Sequence, residues 1–215
     1  MSKTQSAMVE LGTTAPAFEL LDVVSGRAMS RDDVFALSWD DDVPAPVNLM
    51  PGSGASMATR HGLLVMFVCV HCPYVKHVEA ELARIGRDYR NRIAIAAVSS
   101  NDVSAYPQDG PEEMKEQAER LGWEFPYLFD DSQEVARSYN AACTPDFFLY
   151  DAEMKLVYRG QLDGSRPRRG EFGNDEPVTG EDLRRAMDDV VAGRQPATNQ
   201  RTSLGCNIKW REEEK

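Results

Sequence analysis

The chain of 215 residues has few cysteines, an excess of acidic over basic residues and no long apolar segment. Its 24 Lys and Arg are outnumbered by 35 Asp and Glu, which gives a formal net charge of -11 and argues against nucleic acid or an anionic membrane as a partner. No segment approaches the roughly 18 to 20 apolar residues of a membrane span, and residues 1–5 lack the apolar core of an export signal. We therefore expect a cytoplasmic protein that binds neither nucleic acid nor membrane.

The four cysteines are too few for a disulfide scaffold in a chain of this length, and a reducing cytosol would not maintain one. Cys69 and Cys72 are separated by only two residues, whereas Cys143 and Cys206 each stand alone. We therefore expect thiols that are either reactive or inert, with the first pair as the candidate reactive site.

The domain organisation follows from length and composition. With 42% apolar residues, the chain can bury one sizeable core. Residues 39–61 are rich in Asp, Pro, Gly and Ser without a period, which predicts a long loop, and residues 194–215 are predicted to be a tail. A turn at Ser25-Gly26 predicts a small N-terminal hairpin. We predict one domain over residues 1–215.

An apolar run ends directly at Cys69. The run, residues 63–68, is short and does not alternate, as expected for a strand that is buried on both faces. Pro73 suits a first helical turn, and apolar residues then recur at helical spacing: Val75, Val78, Leu82 and Ile85. The pattern predicts a strand, then the dithiol, then a helix.

Strands and helices alternate in the remainder of the chain. We predict strands at residues 93–98, 146–150 and 155–160 and helices at residues 111–121, 133–139 and 179–193. The last two strands would form an antiparallel pair. Together these elements predict an α/β fold with a mixed central sheet flanked by helices.

The dithiol favours thiol–disulfide chemistry. A thiolate is the nucleophile in disulfide exchange, and the start of a helix near Cys72 would stabilise that anion through free N–H groups and the helix dipole. His71, between the two sulfurs, would add to this effect when it is protonated. Cys-x-x-Cys is also half of a zinc site, with His61, His71 and His77 near, but the sequence has no second ligand pair.

Several blocks of the sequence resemble the thioredoxin superfamily, and more closely its peroxiredoxin-like (AhpC/TSA-related) branch that carries a dithiol. The blocks span most of the chain: Gly12-x-x-Ala15-Pro16-x-Phe18-x-Leu20, residues 69–77 (CVHCPYVKH), residues 125–128 (FPYL), residues 143–148 (CTPDFF) and residues 205–210 (GCNIKW).

The resemblance implies a thioredoxin-like fold in which Thr144-Pro145 is a cis peptide that faces the dithiol and helps to bind a substrate segment. As in thioredoxin, Cys69 would attack and Cys72 would resolve the mixed disulfide, with His71 as a tuning residue. The partner would be a protein or small-molecule thiol or disulfide, no cofactor is implied, and we expect a monomer or a dimer.

This sequence departs from both of the families that it resembles. Peroxiredoxins carry Thr three residues, and Pro seven residues, before the peroxide-attacking cysteine, and with Cys72 in that role these positions hold Cys69 and Val65. The region of their late arginine holds Thr144-Pro145. Thioredoxins bury an Asp six residues before the first cysteine, where this chain has Leu63. We therefore expect neither an efficient peroxidase nor an ordinary thioredoxin cycle.

Three alternatives stay open. Cys72 could be oxidised weakly by peroxide and captured by Cys69 as a disulfide. The dithiol with a histidine could bind copper or zinc, as in copper-delivery relatives of this fold. Cys143 and Cys206 are either buried apolar residues or, if the tail folds back across the sheet, a second redox pair.

Overall fold

We describe a computed structural model of the chain, and the structure describes residues 3–39, 46–47, 60–168 and 173–212. Twelve strands occur in these residues: β1 Lys3–Gln5, β2 Glu19–Asp22, β3 Arg27–Ser30, β4 Ser38–Trp39, β5 Pro46–Val47, β6 Gly62–Phe67, β7 Ile93–Ser99, β8 Tyr127–Phe129, β9 Cys143–Thr144, β10 Asp146–Asp151, β11 Leu156–Gly160 and β12 Leu204–Asn207. Five α-helices accompany them: α1 Arg31–Ala36, α2 Pro73–Tyr89, α3 Pro111–Leu121, α4 Glu134–Ser138 and α5 Glu181–Val191.

The main sheet has seven strands in the order β11-β10-β6-β7-β8-β2-β3. β6, β7 and β8 are parallel, β10 is antiparallel to both β6 and β11, and the β2–β3 hairpin is antiparallel to β8. A second sheet has three strands in the order β1-β12-β9. The predicted α/β class, mixed sheet and N-terminal hairpin are confirmed.

The central strand β6 is buried along its whole length because helices cover both faces of the sheet. Its side chains alternate between two apolar cores. Leu64 and Met66 pack with buried residues of α2, α3 and α5, whereas Leu63, Val65 and Phe67 pack with those of α1 and α4. β6 is therefore the fixed element from which the dithiol projects.

Two segments differ from the sequence expectation. Within the predicted loop 39–61, Ser38–Trp39 pairs with Pro46–Val47 in a short antiparallel ladder, and residues 40–45 and 48–59 lie outside the described residues. The predicted tail 194–215 contains β12, which pairs with β1 on one edge and β9 on the other. A strand of four residues that includes a glycine has little local signal, so its two partners decide its conformation.

None of the helices in the described residues has the length and apolarity that crossing a membrane requires.

Candidate active site

The dithiol lies where the strand β6 passes into the helix α2. β6 ends at Phe67, Cys69 follows in the connection, and Cys72 is the N-cap residue of α2. Pro73 is the first helical residue, where its missing N–H costs no hydrogen bond. The predicted order of strand, dithiol and helix is confirmed, and Cys72 is the sulfur at the positive end of the helix dipole.

The Thr144–Pro145 peptide bond is cis, and Thr144 faces both sulfurs. Its hydroxyl oxygen lies 3.4 Å from Cys69 Sγ, and the Cys72 thiol donates to its carbonyl oxygen at 3.2 Å. These contacts join residues that are more than 70 positions apart in the sequence. They place β9 and the start of β10 directly over the dithiol.

The backbone edge at Thr144 is already occupied by another strand. Cys206 of β12 is the register partner of Thr144, and Asn207 is the partner of Cys143. Register partners in an antiparallel ladder share a face, so Cys206 faces the dithiol together with Thr144. The Cys206 thiol is hydrogen-bonded to Cys72. The edge that the resemblance reserves for a substrate segment is thus filled by the chain itself.

Cys143 is not placed with the other thiols. Its side chain points to the opposite face of the ladder from Cys206, because consecutive strand residues alternate in direction. Cys143 Sγ donates to the Pro145 carbonyl oxygen at 3.6 Å, and burial raises the pKa of its thiol. A Cys143–Cys206 disulfide stays a prediction, and it would require this register to change.

Asp109 holds the loop between the two cysteines. One carboxylate oxygen accepts the backbone N–H groups of Val70 and His71 at 2.9 and 3.0 Å. The other oxygen contacts His71 Nδ1 and accepts Asn101 Nδ2 at 2.8 Å. Asp109 is fully buried, and the His71 ring stacks on Tyr106 at 5.6 Å between centroids. His71 is therefore held by a carboxylate that our sequence analysis missed.

The two sulfurs of the dithiol differ in acidity. Burial raises the pKa of Cys72, but hydrogen bonds from Cys206 and Cys69, with further contributions from Thr144 and the Val75 N–H, outweigh it and lower the pKa. The hydrogen bond with Cys72, burial and nearby negative charge raise the pKa of Cys69 well above its usual range. These contacts therefore make Cys72 the more acidic sulfur of the pair.

Access to the sulfurs is narrow. Cys69 is 1% exposed and Cys72 is fully buried, while Val70 and His71 between them are half-buried. A pocket beside Pro145 opens between α2 and the strand β12, with Tyr74, His77, Arg166 and Leu204 among its lining residues. Neither Cys69 nor Cys72 lines this pocket.

One group of side chains in the described residues could hold a metal ion. Ligand atoms of Cys69, His71 and Asp109 lie within 4.8 Å of one another. However, both carboxylate oxygens of Asp109 already accept hydrogen bonds, and His77, which the sequence had offered as a ligand, bonds Ser165 Oγ at 3.1 Å. A metal would have to replace the contacts that hold the loop.

Comparison with protein families agrees with this geometry. Residues 53–159, which contain β6, the dithiol, α2 and the strands β7 to β10, match the model of the AhpC/TSA family. This chain belongs to the AhpC/TSA family. The fold and the family together confirm the resemblance to the peroxiredoxin-like branch of the thioredoxin superfamily. The chain therefore belongs to a class of redox proteins.

Two solved structures resemble this AhpC/TSA member along its whole length. An uncharacterized conserved protein from Geobacillus kaustophilus is 42% identical, with a TM-score of 0.83 over 100% of this chain and 99% of that one. A hypothetical protein from Sinorhizobium meliloti 1021 is 39% identical, with a TM-score of 0.82 over 98% of this chain and 100% of that one. No curated protein matches.

A more distant match shows the fold alone. The thioredoxin domain of a thiol-disulfide oxidoreductase from Bacteroides vulgatus is 19% identical, with a TM-score of 0.50, and the match covers 70% of this chain and 88% of that one. The thioredoxin-like sheet is therefore retained where little of the sequence is shared.

Proposed function

We propose that this AhpC/TSA protein is a thiol–disulfide oxidoreductase that uses Cys69 and Cys72 as its redox pair. The observation that carries the proposal is the hydrogen-bonded thiol cluster at the start of α2, where one sulfur is made acidic by its neighbours. In the cycle, Cys69 and Cys72 give up two electrons and form a disulfide, while the substrate disulfide gains these two electrons and leaves as two thiols.

The electrostatics support Cys72 as the attacking sulfur, which reverses the order that the likeness to thioredoxin suggested. The Cys72 thiolate attacks one sulfur of the substrate, and the first substrate thiolate leaves and takes up a proton. Cys69 then loses its proton and attacks Cys72 Sγ, and the second substrate thiolate leaves. The Thr144 hydroxyl, 3.4 Å from Cys69 Sγ, is placed to stabilise the charge that develops on Cys69 in this step.

Burial of the dithiol favours a small substrate. The backbone of Thr144, to which an extended protein segment would pair, is bonded to β12, and the sulfurs have almost no exposed surface. A small disulfide or thiol does not need to pair with the Thr144 backbone, so it requires less displacement of β12 than an extended protein segment does. We therefore propose a small-molecule disulfide as the first substrate to test, with a protein disulfide as the second.

Reduction of oxidised glutathione, measured with an added dithiol that reduces the protein again after each turnover, tests this function. We expect the wild-type chain to turn over, and both Cys72→Ser and Cys69→Ser to lose turnover, because the first step above needs Cys72 and the second needs Cys69 as well. Cys143→Ser is the matched control, a buried cysteine outside the pair, and it should keep the wild-type rate. Wild-type activity in Cys72→Ser would refute the proposal.

Weak peroxidase activity is the second candidate, and the lowered pKa of Cys72 favours it. Peroxide would convert the Cys72 thiolate to a sulfenic acid with loss of hydroxide, and attack by Cys69 would release water and leave the disulfide. The Thr144 hydroxyl lies 3.4 Å from Cys69 Sγ and also contributes to the lowered pKa of Cys72. Stopped-flow mixing with hydrogen peroxide decides it: a rate no faster than that of an unactivated thiol excludes this activity.

Metal binding at Cys69, His71 and Asp109 is the third candidate, and the proximity of their ligand atoms is what favours it. Metal analysis of freshly purified, reduced protein tests it. Stoichiometric copper or zinc that is lost in Asp109→Asn would replace thiol exchange as the first function.

A further inference from the structure

We propose that Cys206 is a third redox-active cysteine, which takes over the disulfide from Cys69 by forming a bond with Cys72. The inference rests on the proposed function, since the substrate must first oxidise the Cys69–Cys72 pair. It differs from the pairing that the sequence suggested, because the structure places Cys206 with the dithiol rather than with Cys143.

The first support is the position of Cys206 on the shared face. Cys206 is the register partner of Thr144, and Thr144 contacts both sulfurs of the dithiol. Cys69, Cys72 and Cys206 lie in the same buried cluster, and β12 packs against α2. Three thiols therefore meet in one buried site, where two of them can form a disulfide while the third remains a thiol.

The second support is Gly205, which permits the close approach of β12. A Cβ atom at this position would lie 2.1 Å from the Thr144 carbonyl oxygen and 3.2 Å from the Pro145 nitrogen. Such distances exclude any side chain, so only glycine allows β12 to lie this near to the backbone above the dithiol. The close approach is what brings the next residue, Cys206, to Cys72.

The third support is the anchoring of β12 and the residues that follow it. β12 pairs with β1 on its second edge. Beyond the strand, Lys209 N donates to Asn101 Oδ1 at 2.8 Å, and the Lys209 carbonyl oxygen accepts Asp102 N and Gln133 Nε2, both at 2.8 Å. Asn101 also donates to Asp109, which holds the loop of the dithiol. Cys206 is thus held at the site from both sides.

The exchange step is balanced without a further oxidant. Cys206 loses its proton and attacks Cys72 Sγ of the Cys69–Cys72 disulfide. The Cys72–Cys206 bond forms, the Cys69–Cys72 bond breaks, and Cys69 leaves as a thiolate that takes up a proton. One disulfide is exchanged for another, so the protein as a whole is neither oxidised nor reduced.

Electrostatics would make this step follow oxidation. In the reduced protein, the hydrogen bond to Cys72, burial and the charge of Cys72 raise the pKa of Cys206, so its thiol stays protonated. A Cys69–Cys72 disulfide removes the negative charge on Cys72, and with it the hydrogen-bond and charge effects that raise the pKa of Cys206. Lys209 continues to lower the pKa of Cys206. Cys206 would then become the more reactive thiol only when a disulfide is present for it to attack.

Disulfide mapping in the full chain tests the inference. The protein is oxidised with diamide, the remaining thiols are alkylated, and tryptic peptides are identified by mass spectrometry. Cys69 and Cys72 share the peptide 61–76, Cys206 lies in 202–209, and Cys143 lies in 138–155. We expect Cys69→Ser to give a cross-link between 61–76 and 202–209, and wild type to give both this cross-link and the disulfide within 61–76.

Two variants separate this inference from the proposed function. Cys143→Ser should give the wild-type pattern, and Cys206→Ser should form only the disulfide within 61–76. If Cys206→Ser forms that disulfide but Cys206 of Cys69→Ser stays alkylatable or links to 138–155, the inference is wrong and the proposed function stands. If no variant with both Cys69 and Cys72 forms their disulfide, the proposed function itself fails.

Discussion

Replacement of Asp109 by asparagine should weaken both the fold and the control of the dithiol. Asn keeps one acceptor oxygen for Val70 N and His71 N, but it presents an amide where the second oxygen now receives His71 Nδ1 and Asn101 Nδ2. His71 can respond by changing its tautomer, whereas the Asn101 amide N–H group would face the N–H group of the new asparagine. The buried Asn101 Nδ2 group thereby loses its acceptor.

The magnitude follows from these contacts. One buried donor without an acceptor costs about 1–3 kcal/mol, and hydrogen bonds to a neutral amide are roughly half as strong as those to a carboxylate. Asp109→Asn should therefore lower the free energy of unfolding by about 2–4 kcal/mol. Urea unfolding of the reduced protein measures this. Asp131→Asn is the control, because Asp131 is an exposed partner of Arg211 and its replacement should leave the urea midpoint close to that of wild type.

The same variant should change the chemistry of the site. The Asp109 charge is one of the causes, after the hydrogen bond with Cys72, burial and the charge of Cys72, that raise the pKa of Cys69. Its removal should move the pH midpoint of Cys69 alkylation downward, followed peptide by peptide in wild type and variant. Unchanged stability together with an unchanged midpoint would refute the role that we assign to Asp109.

Two further predictions concern the residues beside Pro145. Burial raises the pKa of Asp146 to about 8, above the value near 3.9 of an unfolded chain, so the folded carboxyl stays protonated while the unfolded one ionises. As the pH rises between those two values, the free energy of unfolding of wild type should fall by about 1.4 kcal/mol per pH unit relative to that of Asp146→Asn. A difference between their urea midpoints that does not change with pH would contradict this. Thr144→Val removes the hydroxyl contact that lowers the pKa of Cys69, so the alkylation midpoint of Cys69 should rise at a stability cost of about 0.5–1.5 kcal/mol. A midpoint equal to that of wild type would mean that the hydroxyl does not act on Cys69.

The local pattern around Cys69 was sufficient to predict the elements that carry the dithiol. An unbroken apolar run is typical of a strand covered on both faces, and β6 is buried throughout. Pro73 and the helical spacing after it predicted α2, which begins at that residue. These signals are local, because they depend on the backbone preferences and burial of adjacent residues.

Two features of the site carried no such signal. Asp109 lies in a short turn after a polar loop. Nothing in residues 107–110 indicates a contact with Val70 and His71, which lie 39 and 38 positions earlier in the sequence. β12 has four residues, of which Leu204 and Asn207 are half-buried, and its conformation depends on β1 and β9. Both features arise from contacts between distant parts of the chain.

The sequence by itself determined the fold class, the strand and helix that hold Cys69 and Cys72, and the resemblance that the AhpC/TSA match confirms. Only the tertiary structure decided which sulfur is acidic and which thiol stands beside it. The physical reason is that a pKa depends on the hydrogen bonds and charges within a few ångströms, and here these come from Thr144, Asp109 and Cys206, which reach the dithiol only after the sheets have formed.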